Sequence, residues 1–283
     1  MSEQPTLRQM QEVMFYLLCV VTDICDKQQI PYWLDGGTFL GAHRHQGFIP
    51  WDDDVDICML REDFDRFVGI ASAALPEDAV FDYALGPQEG ERLVCRVYYR
   101  HSEARNYNSG RPSRLFIDIV PLDYYTSDGK PPEGYQKARQ TYVLGNTEPL
   151  GLRKYKIKNM TALKMKILGY LMYIPNAIAP RRHIKKMKKL KQRYLKKPYQ
   201  KTGYIGYGIE LMFRQCYALA EVLPAKPCRF EGRTFYGPNN PDAYLKTLYG
   251  PNYMTPLRPE EIIYHLREVK INKRPPIHLP DLD

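Results

Sequence analysis

Asp52, Asp53, Asp54 and Asp56 fall within five residues, and that much like charge demands a counter-charge. A carboxylate is costly to desolvate unless it is paired or binds metal. Read as a strand, Asp54-Val55-Asp56-Ile57 puts both carboxylates on one face and the two apolar side chains on the other. Two like charges side by side raise one protonation equilibrium. A hard divalent ion, Mg2+ or Mn2+, removes that conflict with oxygen ligands at this spacing. The competing reading is an exposed strand edge with solvated carboxylates; the apolar continuation Ile57-Cys58-Met59 argues against it. Asp118 repeats the pattern, alone between Ile117 and Ile119. Beside the first strand it supplies a third carboxylate; otherwise it is buried against an arginine, Arg96 or Arg114. Gly36-Gly37, before Thr38 and a helix, would bring backbone amides and a helix N-terminus close to a phosphate, although alone such a pair is most often a tight turn. Arg44, between His43 and His45, could add a charge-assisted contact to the same phosphate.

The elements that must position these groups follow from periodicity. Apolar residues recur at helical spacing over residues 6–28, a core-facing helix to which no chemistry is assigned. A short strand over 32–34 leads to the glycines, and a helix is expected over 38–43. Residues 55–59 form the next strand, and a helix with an acidic first turn begins at Arg61. Strands are expected at 80–84, 93–99 and 115–120, the last ended by Pro121. Asp52 and Asp53 read as turn formers after Pro50 or as support for the ligands, and Asp123 as a cap or turn residue. Residues 228–236 read as a hairpin, 241–249 as a helix and 250–256 as a loop. The Pro-rich tail from Lys273 should hug the surface or fray.

The glycine pair, the Asp-x-Asp strand and the later lone aspartate resemble the nucleotidyltransferase fold. LDGGTFLGAHRHQGFIPWDDDVDICMLREDFDRF is similar to the defining segment of the LicD family of phosphotransferases. FIDIVPLD at 116–123 and CRFEGRTFYGPNNPDAYLKTLYGPNYM at 228–254 resemble its second and C-terminal blocks. The resemblance implies an α/β (α+β) mixed sheet with flanking helices. It implies a metal-dependent enzyme that moves a phospho-alcohol, phosphocholine above others, from a CDP-activated donor to a glycan or lipid-linked glycan acceptor. It makes Asp54, Asp56 and Asp118 the metal ligands, with Asp118 either ligand or base. Gly36, Gly37, Thr38 and Arg44 fall to the donor phosphates, and His43, Trp51, Asp52 and Asp53 to their support. Tyr98, Tyr99, Tyr107, Tyr124 and Tyr125 are candidates for an aromatic cage around a quaternary ammonium.

Charge is unevenly spread along the 283 residues. Residues 151–201 hold 17 Lys and Arg and no acid, against 24 basic and 32 acidic residues elsewhere. The expected organisation is a catalytic core over 1–150, a basic helical insertion over 151–227 and a segment over 228–283 that packs back on the core. Within the insertion, 181–197 puts Ile184, Met187, Leu190 and Tyr194 on one face of a basic helix. It is read as a solvated face or as a peripheral contact with anionic membrane, the latter helped by the apolar residues 167–178. No nucleic acid is expected. The six cysteines lack metal-ligand or disulfide spacing, and the N-terminal stretch has neither leader nor membrane-span character, so a cytoplasmic protein is expected. Two other functions compete: a nucleotidyltransferase acting on RNA or a small molecule, and a non-catalytic glycan- or membrane-binding module.

Overall fold

The computed structural model describes residues 4–84, 94–107, 110–136, 139, 180–195, 201–211, 215–262 and 264–279, with isolated positions between 160 and 171. The chain opens with α1 (Leu7–Lys27), whose start is fixed by a capping box between Thr6 and Gln9. Then come β1 (Trp33–Leu34), α2 (Gly36–His45), β2 (Asp56–Leu60), α3 (Arg61–Ala74), β3 (Ala79–Asp82), β4 (Cys95–Tyr99), β5 (Ser102–Asn106), β6 (Pro112–Ser113) and β7 (Phe116–Tyr124). The second half holds α4 (Pro180–Leu195), β8 (Tyr204–Tyr207), β9 (Cys216–Ala218), α5 (Leu219–Val222), β10 (Lys226–Phe230), β11 (Arg233–Gly237), α6 (Pro241–Tyr249), a 3-10 turn at Pro259–Glu261 and β12 (Leu266–Ile271).

One mixed sheet dominates. Its strand order is β1-β2-β7-β4-β3, with β8 pairing to β7 and β9 to β8. Among the described residues, only the β2–β7 pair of this sheet is parallel. β7 is the central strand, and every residue in it except Asp118 is buried. Both faces are therefore covered, which accounts for the apolar residues on either side of Asp118. β10 and β11 form a hairpin, and β12, β5 and β6 form a small antiparallel sheet.

Strand β7 does not stop at Pro121 as the sequence suggests. It continues to Tyr124 because the missing N–H falls where the ladder changes partner. β4 pairs with residues up to Ile119 and β8 takes over from Leu122. The Pro121 carbonyl still accepts from Gly208 N–H at 2.8 Å. Asp123 accordingly sits in a strand and not in a cap or turn. It is fully buried and forms an ion pair with Arg61, which also binds Glu210. Tyr135 donates a hydrogen bond to Asp123, and Tyr83 donates to Glu210.

The basic helix α4 forms as its periodicity predicts, but its apolar stripe is in use. Met187 is fully buried in the main core, and Ile184 and Leu190 pack against that core. Lys185, Lys186 and Lys189 stay exposed. The Tyr194 side chain and residues 172–179 lie outside the described residues. Among the described residues no helix is long and apolar enough to cross a membrane. The tail hugs the surface as far as Leu279, whose N–H donates to Glu12 at 3.3 Å.

Candidate active site

Helix α2 begins at the glycines, two residues earlier than periodicity implies. Gly36 has φ +56°, a conformation that side chains disfavour. A Cβ there would also lie 3.0 Å from the Asp56 Oδ2. At Gly37 a Cβ would fall 2.4 Å from the Asp52 Oδ2. The pair thus lets two aspartates approach the first turn of a helix, where backbone amides lack helical partners. Thr38, expected at a phosphate, is buried, and its Oγ1 accepts the Asp56 N–H at 3.0 Å. It ties α2 to β2.

The register of the central strands brings the distant aspartate into place. Asp56 on β2 is paired with Asp118 on β7 in the parallel ladder, so the two side chains share a face. The extended backbone begins before β2, since Asp118 N–H donates to Val55 O at 2.8 Å. From Asp52 to Ile57 burial alternates: Asp52, Asp54 and Asp56 are half-buried, while Asp53, Val55 and Ile57 are buried. Parity therefore places Asp52 with Asp54 and Asp56, and separates it from its expected turn partner Asp53. Asp53 points inward and accepts from the backbone N–H groups of His265 and Leu266 at 2.9–3.1 Å.

The cluster is electrostatically strained. Burial pushes the Asp52 and Asp56 carboxyls well above the usual carboxylate range, and Asp54 adds to both shifts. Asp118 and Asp35 raise Asp56 further. Burial also raises Asp54, against the opposing pull of His265. Two cations answer this charge. Arg96 forks onto Asp118 at 2.6 and 3.0 Å and lies over the Phe116 ring. The arginine partner that the sequence allowed for Asp118 is thus present, together with the strand alignment. His265 Nδ1 lies 2.9 Å from Asp53 and 3.3 Å from Asp54. Burial would lower its pKa, but the hydrogen bond to Asp53 and the charges of Asp54, Asp53 and Asp52 raise it to about 9.

Around the cluster, Arg44 stacks over Trp51 at 6.0 Å and donates from Nε to His45 at 2.8 Å. His43 packs at a tilt between Phe39 and Tyr253, with ring centroids 6.4 and 6.1 Å away. Tyr249, at the end of α6, feels Asp35, Asp56, Asp52 and Asp54 together, which with burial push its hydroxyl pKa up. Of the five tyrosines expected as a cage, Tyr98, Tyr99, Tyr124 and Tyr125 are buried in the protein, and only Tyr107 is exposed. Their aromatic faces serve packing and cannot enclose a ligand as placed.

Three further residues escaped sequence reasoning. Asp35 is buried at the mouth of α2, where its carboxylate accepts from Tyr207 at 2.9 and 3.0 Å, Tyr244 at 2.5 Å and the Cys58 thiol at 3.0 Å. Its position directly before the glycines was the available signal. Tyr249 lies in the C-terminal block already singled out, whereas His265 has no local signal at all.

A glycine-started helix set against an aspartate-bearing parallel strand pair, on a mixed α/β sheet, defines a nucleotidyltransferase-like domain. Residues 29–162 match the family profile described as LicD/FKTN/FKRP, nucleotidyltransferase domain. Those residues, just under half of the chain, are a LicD-type domain, and the relatives that follow indicate a phosphotransferase. It is 28% identical over 272 residues to the lipopolysaccharide cholinephosphotransferase LicD of Haemophilus influenzae, spanning 94% of this chain and 98% of that protein. It is 42% identical over 112 residues to the mouse ribitol 5-phosphate transferase FKRP, which covers 38% of this chain and 20% of that protein. An uncharacterized Rickettsia prowazekii protein, RP689, is 46% identical over 49% of this chain and 51% of its own length. Among solved structures, ANT(2")-Ia in complex with adenylyl-2"-tobramycin aligns with 63% of this chain and 97% of its own at 11% identity. Its TM-score of 0.25 is too low to bear on the fold.

Proposed function

We propose that this chain transfers a phospho-alcohol, phosphocholine above others, from a CDP-activated donor to a hydroxyl of a cell-surface glycan or its lipid-linked precursor. The observation that carries the reading is the Asp56–Asp118 register pair, with Asp54 and Asp52 beside it, facing the glycine start of α2. Phosphocholine is preferred to ribitol phosphate because the likeness to the cholinephosphotransferase runs the length of both proteins, whereas the ribitol-phosphate transferase shares only a segment.

The donor set suits a divalent ion. All candidate ligands are hard oxygens. Among the described residues no three acidic, histidine or cysteine side chains already converge as a metal cage. Mg2+ commonly takes one or two carboxylates and completes its shell with water and substrate phosphate, so a ready-made cage is not required. Asp56, whose strongest neighbouring charges are Asp54, Asp118, Asp35 and Asp52, has an electrostatic need for one. Asp54 and Asp56 would hold the ion, with Asp118 as third carboxylate. When bound, the ion would neutralise charge on the pyrophosphate and on the departing CMP.

The remaining work falls to the chain's own groups. The first-turn amides of α2 at Gly36 and Gly37 offer neutral donors to a phosphate oxygen, with no side chain to hold it off. Arg44, steadied by Trp51 and His45, offers a charged donor. Asp118, oriented by Arg96, is the candidate to receive the proton of the attacking hydroxyl if it is not a ligand. Attack at the distal phosphorus forms the new phosphodiester as the bond to the CMP oxygen breaks, and the proton leaves to a carboxylate. Positioning and charge stabilisation supply most of the acceleration.

The test is turnover with Mn2+ or Mg2+, comparing CDP-choline, CDP-ribitol and CDP-glycerol with ATP. CMP release from CDP-choline in the presence of a glycan acceptor is the expected result. Activity with ATP alone would overturn the proposal.

A further inference from the structure

The β1–β2 ladder has a second end. Asp56 and Asp35 mark the carboxylate end, where Asp35 N–H donates to Asp56 O at 3.1 Å. Leu60 closes β2 four residues further on, roughly 13 Å away at the rise of an extended strand. A cavity of about 630 Å³ opens there, between the C-terminal turn of α1, the start of β1 and the residues that lead into β10. That volume lies within the range of pockets that enclose a small organic ligand.

Its lining combines aromatic rings with negative charge. Tyr32 and Tyr236 meet edge to face at 5.6 Å between centroids, and Trp33 and Leu60 contribute apolar wall. Asp26 and Asp63 are the two charged residues in the lining, and no lysine or arginine is among them. Asp63 is partly answered from outside by Arg66 at 2.9 Å. Asp26 makes no side-chain hydrogen bond or ion pair among the described residues, and burial raises its carboxyl pKa, with Asp23 adding and Arg233 opposing. Tyr236 is 41% exposed, so its ring is open to solvent.

We propose that this cavity binds a small organic cation, an ammonium group carrying an uncharged body, at a site separate from the carboxylate cluster. An ammonium gains from the ring quadrupoles of tyrosines and from a nearby carboxylate, most of all when alkylated and weakly hydrated. An anion would meet only Asp26 and Asp63. A wholly apolar ligand would cover the exposed Asp26 carboxylate and strip its water without giving it a partner. The proposal does not depend on which group the enzyme transfers.

Binding of choline to the intact chain would be followed by calorimetry and thermal shift, without nucleotide or metal. The neutral isostere 3,3-dimethylbutan-1-ol is the reference ligand, and the Tyr236→Ala, Asp26→Asn and Asp56→Asn variants are compared. Choline should bind the parent and Asp56→Asn alike. Its affinity should fall about 2- to 30-fold in Tyr236→Ala, the range of a single cation–π contact, and fall measurably in Asp26→Asn. The isostere should bind more weakly than choline. Equal binding of the isostere, no binding of choline to the parent, or loss in Asp56→Asn with retention in Tyr236→Ala would each overturn the proposal. CDP-choline turnover plays no part in these readouts, so failure here and failure of the proposed reaction are separate results.

Discussion

Asp56 carries two opposed demands. Its carboxyl is pushed well above the usual range by burial, Asp54, Asp118, Asp35 and Asp52. An acid whose pKa is raised on folding lowers stability at every pH above its unfolded value. Removing the charge should therefore stabilise the metal-free protein while destroying its chemistry. Asp56→Asn is expected to raise the melting temperature at pH 7 in EDTA, each pKa unit of relieved repulsion adding about 1.4 kcal/mol of stability. CMP release should fall about 100-fold or more. A lowered melting temperature would show that Asp56 makes a native contact that outweighs the repulsion. The position of Asp56 and its alignment with Asp118 were legible because one carboxylate in each of two apolar strands stands out. The grouping of Asp52 was not, because burial parity runs on through residues that precede the strand. His265 was invisible for a different reason: it reaches the site through the small β12–β5–β6 sheet, which no apolar alternation announces.

Among the elements, β7 and α3 are joined by a fully buried ion network. Arg61 at the start of α3 meets Asp123 on β7 at 2.6 Å and Glu210 beyond β8 at 2.7 Å. Replacing Arg61 with Met would leave two buried carboxylates facing each other and should cost about 3–5 kcal/mol in denaturant unfolding. The network also sets an acid limit. Burial would raise the Glu210 pKa, but Arg61, Lys191 and Tyr83 hold it at about 2, below its ordinary 4.5. Its contribution is complete above about pH 4.5 and is lost as pH falls through about 2. Urea midpoints of the parent and Glu210→Gln should therefore converge at acid pH; parallel curves would remove Glu210 from the acid response. None of this was readable from the sequence. Asp123 looked like a turn residue because Pro121 looked like an end, and the partner strand β8 is a Gly- and Tyr-rich segment without alternation. By contrast, α6 was legible at both ends. Asn240 accepts from Ala243 N–H, Pro241 occupies the first turn and Gly250 closes the helix.

At the scale of the molecule, charge is segregated, but the basic helix is not a free amphipath. Since Met187 is core, an anionic surface can engage α4 only through lysines such as Lys185, Lys186 and Lys189, without insertion of its stripe. Contact of that kind is screened within a Debye length. Flotation with anionic vesicles should weaken steeply as salt rises and should be lost with neutral lipid. Binding that persists in high salt would mean that apolar residues enter the bilayer.

The carboxylate stretch is held at both ends by the last third of the chain. Asp35 rests on Tyr207 and Tyr244, and Asp53 on the backbone of His265 and Leu266. The residues that match the family profile end at 162, before any of these partners. In a chain made from the N-terminus, the glycines and aspartates therefore exist long before the groups that lock their geometry. A chain interrupted after residue 162 would carry the recognisable motifs with neither anchor, and so would bear the signature of the enzyme without its rigidity. Completion of the chain is, in effect, the last component of the site.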